Sequence, residues 1–128
     1  MKNLKKHSKN FFIVLVVLIV AFIAVKSIHI KEVEICNIDF RTLKDGVYVG
    51  THDSTLVKAR VSVEVKNHNI QTIIINEHQT CLGKKAETII NKIIEKQSLQ
   101  VDSIAGATVS SNTIKKAVED ALSNGTKK

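Results

Sequence analysis

Proline and tryptophan are absent from the 128 residues, tyrosine occurs once, at Tyr48, and glycine only five times. The shortage of aromatics excludes the stacking platforms on which single-stranded nucleic acids lie. Few glycines and no proline go with a lack of linkers. Beyond the N-terminal segment the composition is uniform, with no Gly/Ser-rich tract, low-complexity stretch or internal repeat, so one small domain is the economical reading. Two cysteines, Cys36 and Cys81, are too few for a disulfide framework, although an extracytoplasmic location would let them pair. The five histidines, His7, His29, His52, His68 and His78, show no ligand spacing with one another or with either cysteine, which argues against a metal site. No nucleophile and base pair stands out, and the length leaves no room for a separate substrate domain, so a self-contained enzyme is disfavoured.

Acidic residues are missing from the first 30 positions, where Lys2, Lys5, Lys6, Lys9 and Lys26 stand. Those lysines supply most of the formal net charge of +7, and the rest of the chain carries about +2, which gives no support to nucleic-acid binding. Phe11 to Val25 form one apolar run, FFIVLVVLIVAFIAV, that covers about 23 Å as a helix. Asn10, Ser27, Ile28 and Ile30 lengthen it, and Lys9 and Lys26 can extend their ammonium groups to the interface. More lysines precede the run than follow it. This predicts a basic cytoplasmic segment over 1–9, a transmembrane anchor over 10–30, a connecting segment over 31–44 and an extracytoplasmic domain over 45–128. A cleaved signal peptide is the other reading, with Val25-Lys26-Ser27 as a poor cleavage pattern.

The first half of the domain reads as strands. GVYVG is a short one, and KARVSVEV puts Ala59, Val61, Val63 and Val65 on one face with Arg60, Ser62, Glu64 and Lys66 on the other. Lys66 to Asn69 tolerate a tight turn, from which IQTIIINEH returns as the hairpin partner. The second half changes period. In KKAETIINKIIEKQS, Ala86, Ile89, Ile90, Ile93, Ile94 and Gln97 make a helical stripe that should lie on the sheet. Ile114, Ala117, Val118, Ala121 and Leu122 make another, on a helix expected to start at Ser110 and Ser111 and to stop before Asn124-Gly125. The fold class is therefore α+β: a small antiparallel sheet packed by two helices, preceded by one N-terminal transmembrane helix.

At the junction before the last helix stands DSIAGATVSS, residues 102–111. The first turn of a helix offers unpaired N–H groups and the positive end of the macrodipole, which favour an anion and above all a phosphate. Ala105, Gly106 and Ala107 let another molecule approach the backbone, and Thr108 presents a hydroxyl there. A purely structural role is the alternative, in which the serines cap the helix and the small residues only pack.

This stretch resembles the flavinylation sequence of the FMN-binding domain family, which occurs also in covalently flavinylated subunits of sodium-pumping quinone reductases and related membrane electron-transfer complexes. The family pattern is Asp, two variable positions, Ser or Thr, Gly, Ala, then Thr or Ser. Asp102, Gly106, Ala107 and Thr108 match it, and Ala105 stands where a hydroxyl residue is usual. DGVYVG, the hairpin and both helices are similar to the family in order, over about the last 84 residues, residues 45–128. The chain looks like a stand-alone anchored domain of the kind common in Gram-positive bacteria. The resemblance implies FMN bound covalently by a phosphodiester to Thr108, attached by a magnesium-dependent flavin transferase with FAD as donor. It implies Gly106, Ala107, Asp102 and Ser110 beside the flavin, and His78, Thr80, Leu82 and Gly83 in a loop that helps to form its site. The function that follows is an electron carrier at the membrane with a membrane redox partner. A non-redox scaffold with weak or no flavin binding is the alternative.

Overall fold

The computed structural model describes residues 2–27, 34–80 and 83–127, with the side chains of the first stretch described from Lys9 to Ala24. Leu82 and Cys81 lie outside the described residues, so the pairing that the sequence leaves open between Cys36 and Cys81 and the placement of Leu82 do too. The chain divides into two units, Met1–Glu32 and Val33–Lys128.

The first unit is one helix, α1 (Lys2–Ser27). Its apolar side chains point outward on every face: Phe11 is 72% exposed and Phe22 67%. Among the described residues no helix is long and apolar enough to cross a membrane, and the span expected over 10–30 continues past Ala24, where the described side chains end.

The second unit is α+β. Its three strands, β1 (Gly46–Ser54), β2 (Val57–Lys66) and β3 (Asn69–Gln79), form an antiparallel sheet in the order β1-β2-β3. A 3-10 turn, Lys84–Thr88, runs into α2 (Ile89–Lys96), and α3 (Thr108–Thr126) closes the chain. The central strand β2 follows its alternation: Ala59, Val61, Val63 and Val65 are buried while Arg60, Glu64 and Lys66 are exposed. Asn67 and His68 make the β2–β3 turn at φ 51° and 61°, the two positive values that a tight hairpin matching the strand twist demands.

β3 departs from simple alternation. Gln71 and Asn76 are each skipped in the backbone register with β2, so the strand carries two irregularities. Each reverses which side chains face inward. After the second, His78 rather than Glu77 lies beside Ala59 on the covered face. His78, expected in the loop after the hairpin, is thus part of the sheet.

The helices keep their stripes but shift their ends. Ile114, Ala117, Val118, Ala121 and Leu122 are all fully buried, where α3 lies across β1 and β2. That helix begins at Thr108, not at Ser110 or Ser111, and runs through Asn124-Gly125 to Thr126. The last turn holds because Asn124 Nδ2 donates to the Val49 carbonyl (3.4 Å) and Gly125 lies on Leu43 and Tyr48. The segment expected as one helix is split, since Lys84–Thr88 is 3-10 and only Ile89–Lys96 is α-helical.

Gln97 ends α2 in the left-handed region, at φ 48°, and is not a member of the apolar stripe. Its amide instead clamps β3: Nε2 donates to the Ile70 and Ile94 carbonyls (2.8 and 2.7 Å) and Oε1 accepts from the Ile70 N–H (2.8 Å). Replacing Gln97 with leucine keeps the volume and strands these half-buried backbone groups. The expected loss is about 2 kcal/mol, read from the denaturant midpoint.

Candidate functional site

The chain from Val101 to Ala107 has no regular structure of its own and is strapped to α3 by that helix's side chains. Lys115 Nζ donates to the Val101 carbonyl (3.1 Å), Ser103 Oγ to Asn112 Oδ1 (3.0 Å), and the Ile104 N–H to Ser111 Oγ (2.9 Å). Lys115 is only 8% exposed; burial lowers its pKa, partly offset by the Asp102 carboxylate. Because the unfolded chain then holds that proton more tightly, this lysine adds stability as pH rises from its lowered pKa toward the ordinary 10.5.

The strap ends in a tight turn. The Ala107 N–H donates to the Ile104 carbonyl (2.9 Å), and Gly106, the third residue of that turn, has φ +73°. A positive φ at that position is the reason for a glycine. Ala105 occupies the second position, which any small residue suits. Ala107 is buried, and α3 starts behind it with no side-chain cap and no acidic residue in its first turn.

Four hydroxyls crowd this junction and three are engaged. Ser103 is bonded to Asn112, Ser111 accepts from the strap, and Ser110, 3% exposed, lies 3.1 Å from Thr80 Oγ1. Ser110 and Ser111 are therefore tertiary fasteners, not helix caps. Thr108 is different: it is the first helical residue, it is exposed, and its hydroxyl has no hydrogen-bond partner among the described residues. Asp102 is likewise exposed.

The segment after β3 docks onto the same turn of α3. The Gly83 N–H donates to Thr80 Oγ1 (2.9 Å), and a Cβ on Gly83 would collide with Ser110 Oγ. At the end of β3, the His78 side chain is 2% exposed, with Nδ1 3.0 Å from Glu87 Oε1. His78 Nε2 is buried without a partner among the described residues. A buried polar atom of that kind costs about 1–3 kcal/mol if it stays unpaired. Lys85 lies across the Gly106 turn: a Cβ built on Gly106 would sit 2.8 Å from Lys85 Nζ.

Of the residues expected at the site, Ser110 is brought together with Thr80 and Gly83 on the first turn of α3, which Gly106 and Ala107 precede and Thr108 opens, and His78 lies two residues before Thr80 in the chain. Sequence reading missed Glu87, Lys85 and Lys115. Glu87 and Lys85 read as polar-face residues of the helix expected over KKAETIINKIIEKQS, and Lys115 reads as one more exposed lysine on a helix. An exposed hydroxyl, unengaged among the described residues, on the first turn of an uncapped helix suits a phosphate ester at Thr108. A family model described as the FMN-binding domain matches residues 46–123. No curated protein matches the chain.

Proposed function

Because the chain belongs to the FMN-binding domain family, we propose that Thr108 carries FMN through a phosphodiester bond and that the protein is a membrane-anchored electron carrier. The observation that supports the attachment point is the state of the hydroxyls: of the four at the junction, Thr108 alone is exposed and without a hydrogen-bond partner among the described residues. The residues fit the group. Gly106 leaves open the space of a Cβ beside a cationic side chain, and His78 Nε2 has no partner among the described residues.

Attachment requires a flavin transferase with magnesium and FAD. The Thr108 oxygen bonds to the flavin-side phosphorus, the pyrophosphate bond breaks, AMP departs and the hydroxyl proton is released. The exposed Asp102, Ala105 and Gly106 leave the strap approachable by that enzyme. Once bound, FMN supplies one- and two-electron redox chemistry, and the protein supplies binding and orientation. Thr80 and Ser110 fix the floor of the site, and Glu87 sets the orientation of the His78 ring.

The anchor is the α1 segment. A helix apolar on all faces is at home in a bilayer or a large core, and its lysines lie mainly before the apolar run. The N-terminus then stays in the cytoplasm and the flavin domain faces outward, next to a membrane redox partner. A covalent tether suits that side, because flavin lost from an exported protein is not recovered from dilute surroundings.

Co-expression with a flavin transferase tests the reading. The expected result is a yellow protein with in-gel flavin fluorescence and the FMN mass mapped to the Thr108 peptide; a colourless protein of unmodified mass contradicts it. His78 gives a second test. In the flavin-free protein His78→Phe removes a buried nitrogen that has no partner among the described residues but also the Nδ1 contact with Glu87, so stability is expected to fall by no more than about 1–2 kcal/mol. In the loaded protein the same change should shift the flavin absorption bands and midpoint potential. Unchanged bands and potential would assign His78 to the core alone.

A further inference from the structure

The ammonium group of Lys85 has no ion-pair partner among the described residues. Those that pair are His78 with Glu87 and Lys116 with Glu119. Glu87, the acid nearest to Lys85 in sequence, is committed to the buried histidine. The first turn of α3 contributes no acid either. Asp102, on the strap, is the carboxylate whose field reaches Lys115.

The location of Lys85 makes this lack notable. The 3-10 turn Lys84–Thr88 is brought to α3 by Thr80 and Gly83, which are docked on Ser110. The Lys85 side chain then crosses the Gly106 turn, with Nζ 2.8 Å and Cε 3.5 Å from where a Cβ on Gly106 would be. Gly106 lies two residues before Thr108. A cation next to an uncapped helix N-terminus is electrostatically unfavourable, since both are positive, and an anion between them reverses the sign of both interactions. We propose that Lys85 is the counter-charge of the phosphodiester on Thr108, so that the Lys85 ammonium, the Gly106 turn and the first turn of α3 form one phosphate seat. This rests on the reading of Thr108 as the flavin acceptor. It adds a residue outside the 102–111 stretch and gives the positive φ of Gly106 a second consequence: the bare turn admits the lysine.

A phosphodiester keeps a single negative charge at neutral pH, so one ammonium matches it. Lys84, next in the chain and exposed, serves as a control of equal charge. The experiment uses the full chain, loaded with FMN by co-expression with a flavin transferase, as wild type, Lys85→Met, Lys85→Arg and Lys84→Met. Lys85 is exposed, so the variants should fold, and circular dichroism of each checks that they do. The readout is the phosphorus NMR resonance of the Thr108-linked ester and its response to salt.

In Lys85→Met the resonance should move and lose most of its salt dependence, and loading should slow by about three- to tenfold. Lys85→Arg should retain the wild-type resonance more closely than methionine, and Lys84→Met should leave it unchanged. A resonance in Lys85→Met identical to wild type, with the same salt response, overturns the seat and leaves Thr108 as the acceptor. Equal shifts in Lys84→Met and Lys85→Met also overturn it, because they reduce the effect to net charge. Wild-type protein without the ester on Thr108 overturns both proposals together.

Discussion

Replacing Thr108 with alanine is expected to take covalent FMN from full loading to none while leaving the domain folded. The side chain is exposed and makes no hydrogen bond among the described residues, so the apo stability should change by no more than about 0.5 kcal/mol. The loss is complete, not partial, because no neighbour can substitute. Ser110 is 3% exposed and bonded to Thr80, Ser111 is fully buried under Ile104, and Ser103 is bonded to Asn112. For any of them to reach a flavin phosphate, the strap or the first turn of α3 must open. Thr108→Ser restores the hydroxyl at the same place and should load, at a rate within an order of magnitude of wild type. Intact-mass measurement and peptide mapping on the three proteins decide the matter. FMN found on Ser103, Ser110 or Ser111 in the alanine variant would mean that the strap opens readily, and that Thr108 is chosen by rate and not by access.

The distinction among these hydroxyls was not legible in the sequence. The alternation of β2 and the stripe of α3 were, because both depend on a local period that burial on one face enforces. Ser110 and Ser111 looked like caps since short hydroxyls are favoured there, yet their partners, Thr80 and the Ile104 N–H, come from outside the helix. Periodicity carries no information about such partners. His78 was misplaced for a related reason. Its inward turn follows from the register skipping Asn76, and a run such as IIINEH has no residue that announces an irregularity. Spacing alone puts Gln97 with the isoleucines, although its amide pairs with Ile70 across 27 residues. The family resemblance was legible because DSIAGATVSS is a local word, and Lys85 was not because it meets that word only through the fold.

A second substitution, outside the 102–111 stretch, should damage the protein most. Gly50 is buried in β1 where α3 crosses it. A Cβ there would run into the Ala117 carbonyl oxygen and the Ala121 nitrogen, and would sit 2.8 Å from Ala121 Cα. All three are backbone atoms, so no rotamer change relieves the clash. The helix must lift off the sheet or β1 must leave its register with β2. Lifting α3 opens the contact that buries Ile114, Ala117, Val118, Ala121 and Leu122, which is the larger part of the helix's hold on the domain. Gly50→Ala is therefore expected to cost about 3 kcal/mol or more, a large share of the roughly 5–15 kcal/mol available to a small domain. That corresponds to a drop in melting temperature of about 12 °C or more. Gly46→Ala is the matched control on the same strand, since its Cβ would meet only the Tyr48 ring, at 3.9 Å, and should change stability by no more than about 0.5 kcal/mol. Because α3 carries Thr108 on its first turn, the Gly50 variant should also load FMN poorly at temperatures where Thr108→Ala is still folded. A Gly50→Ala protein that melts within two or three degrees of wild type, by about the scatter expected of a neutral change, would show that α3 can ride outward without loss, and that the stripe is not what holds the site in place.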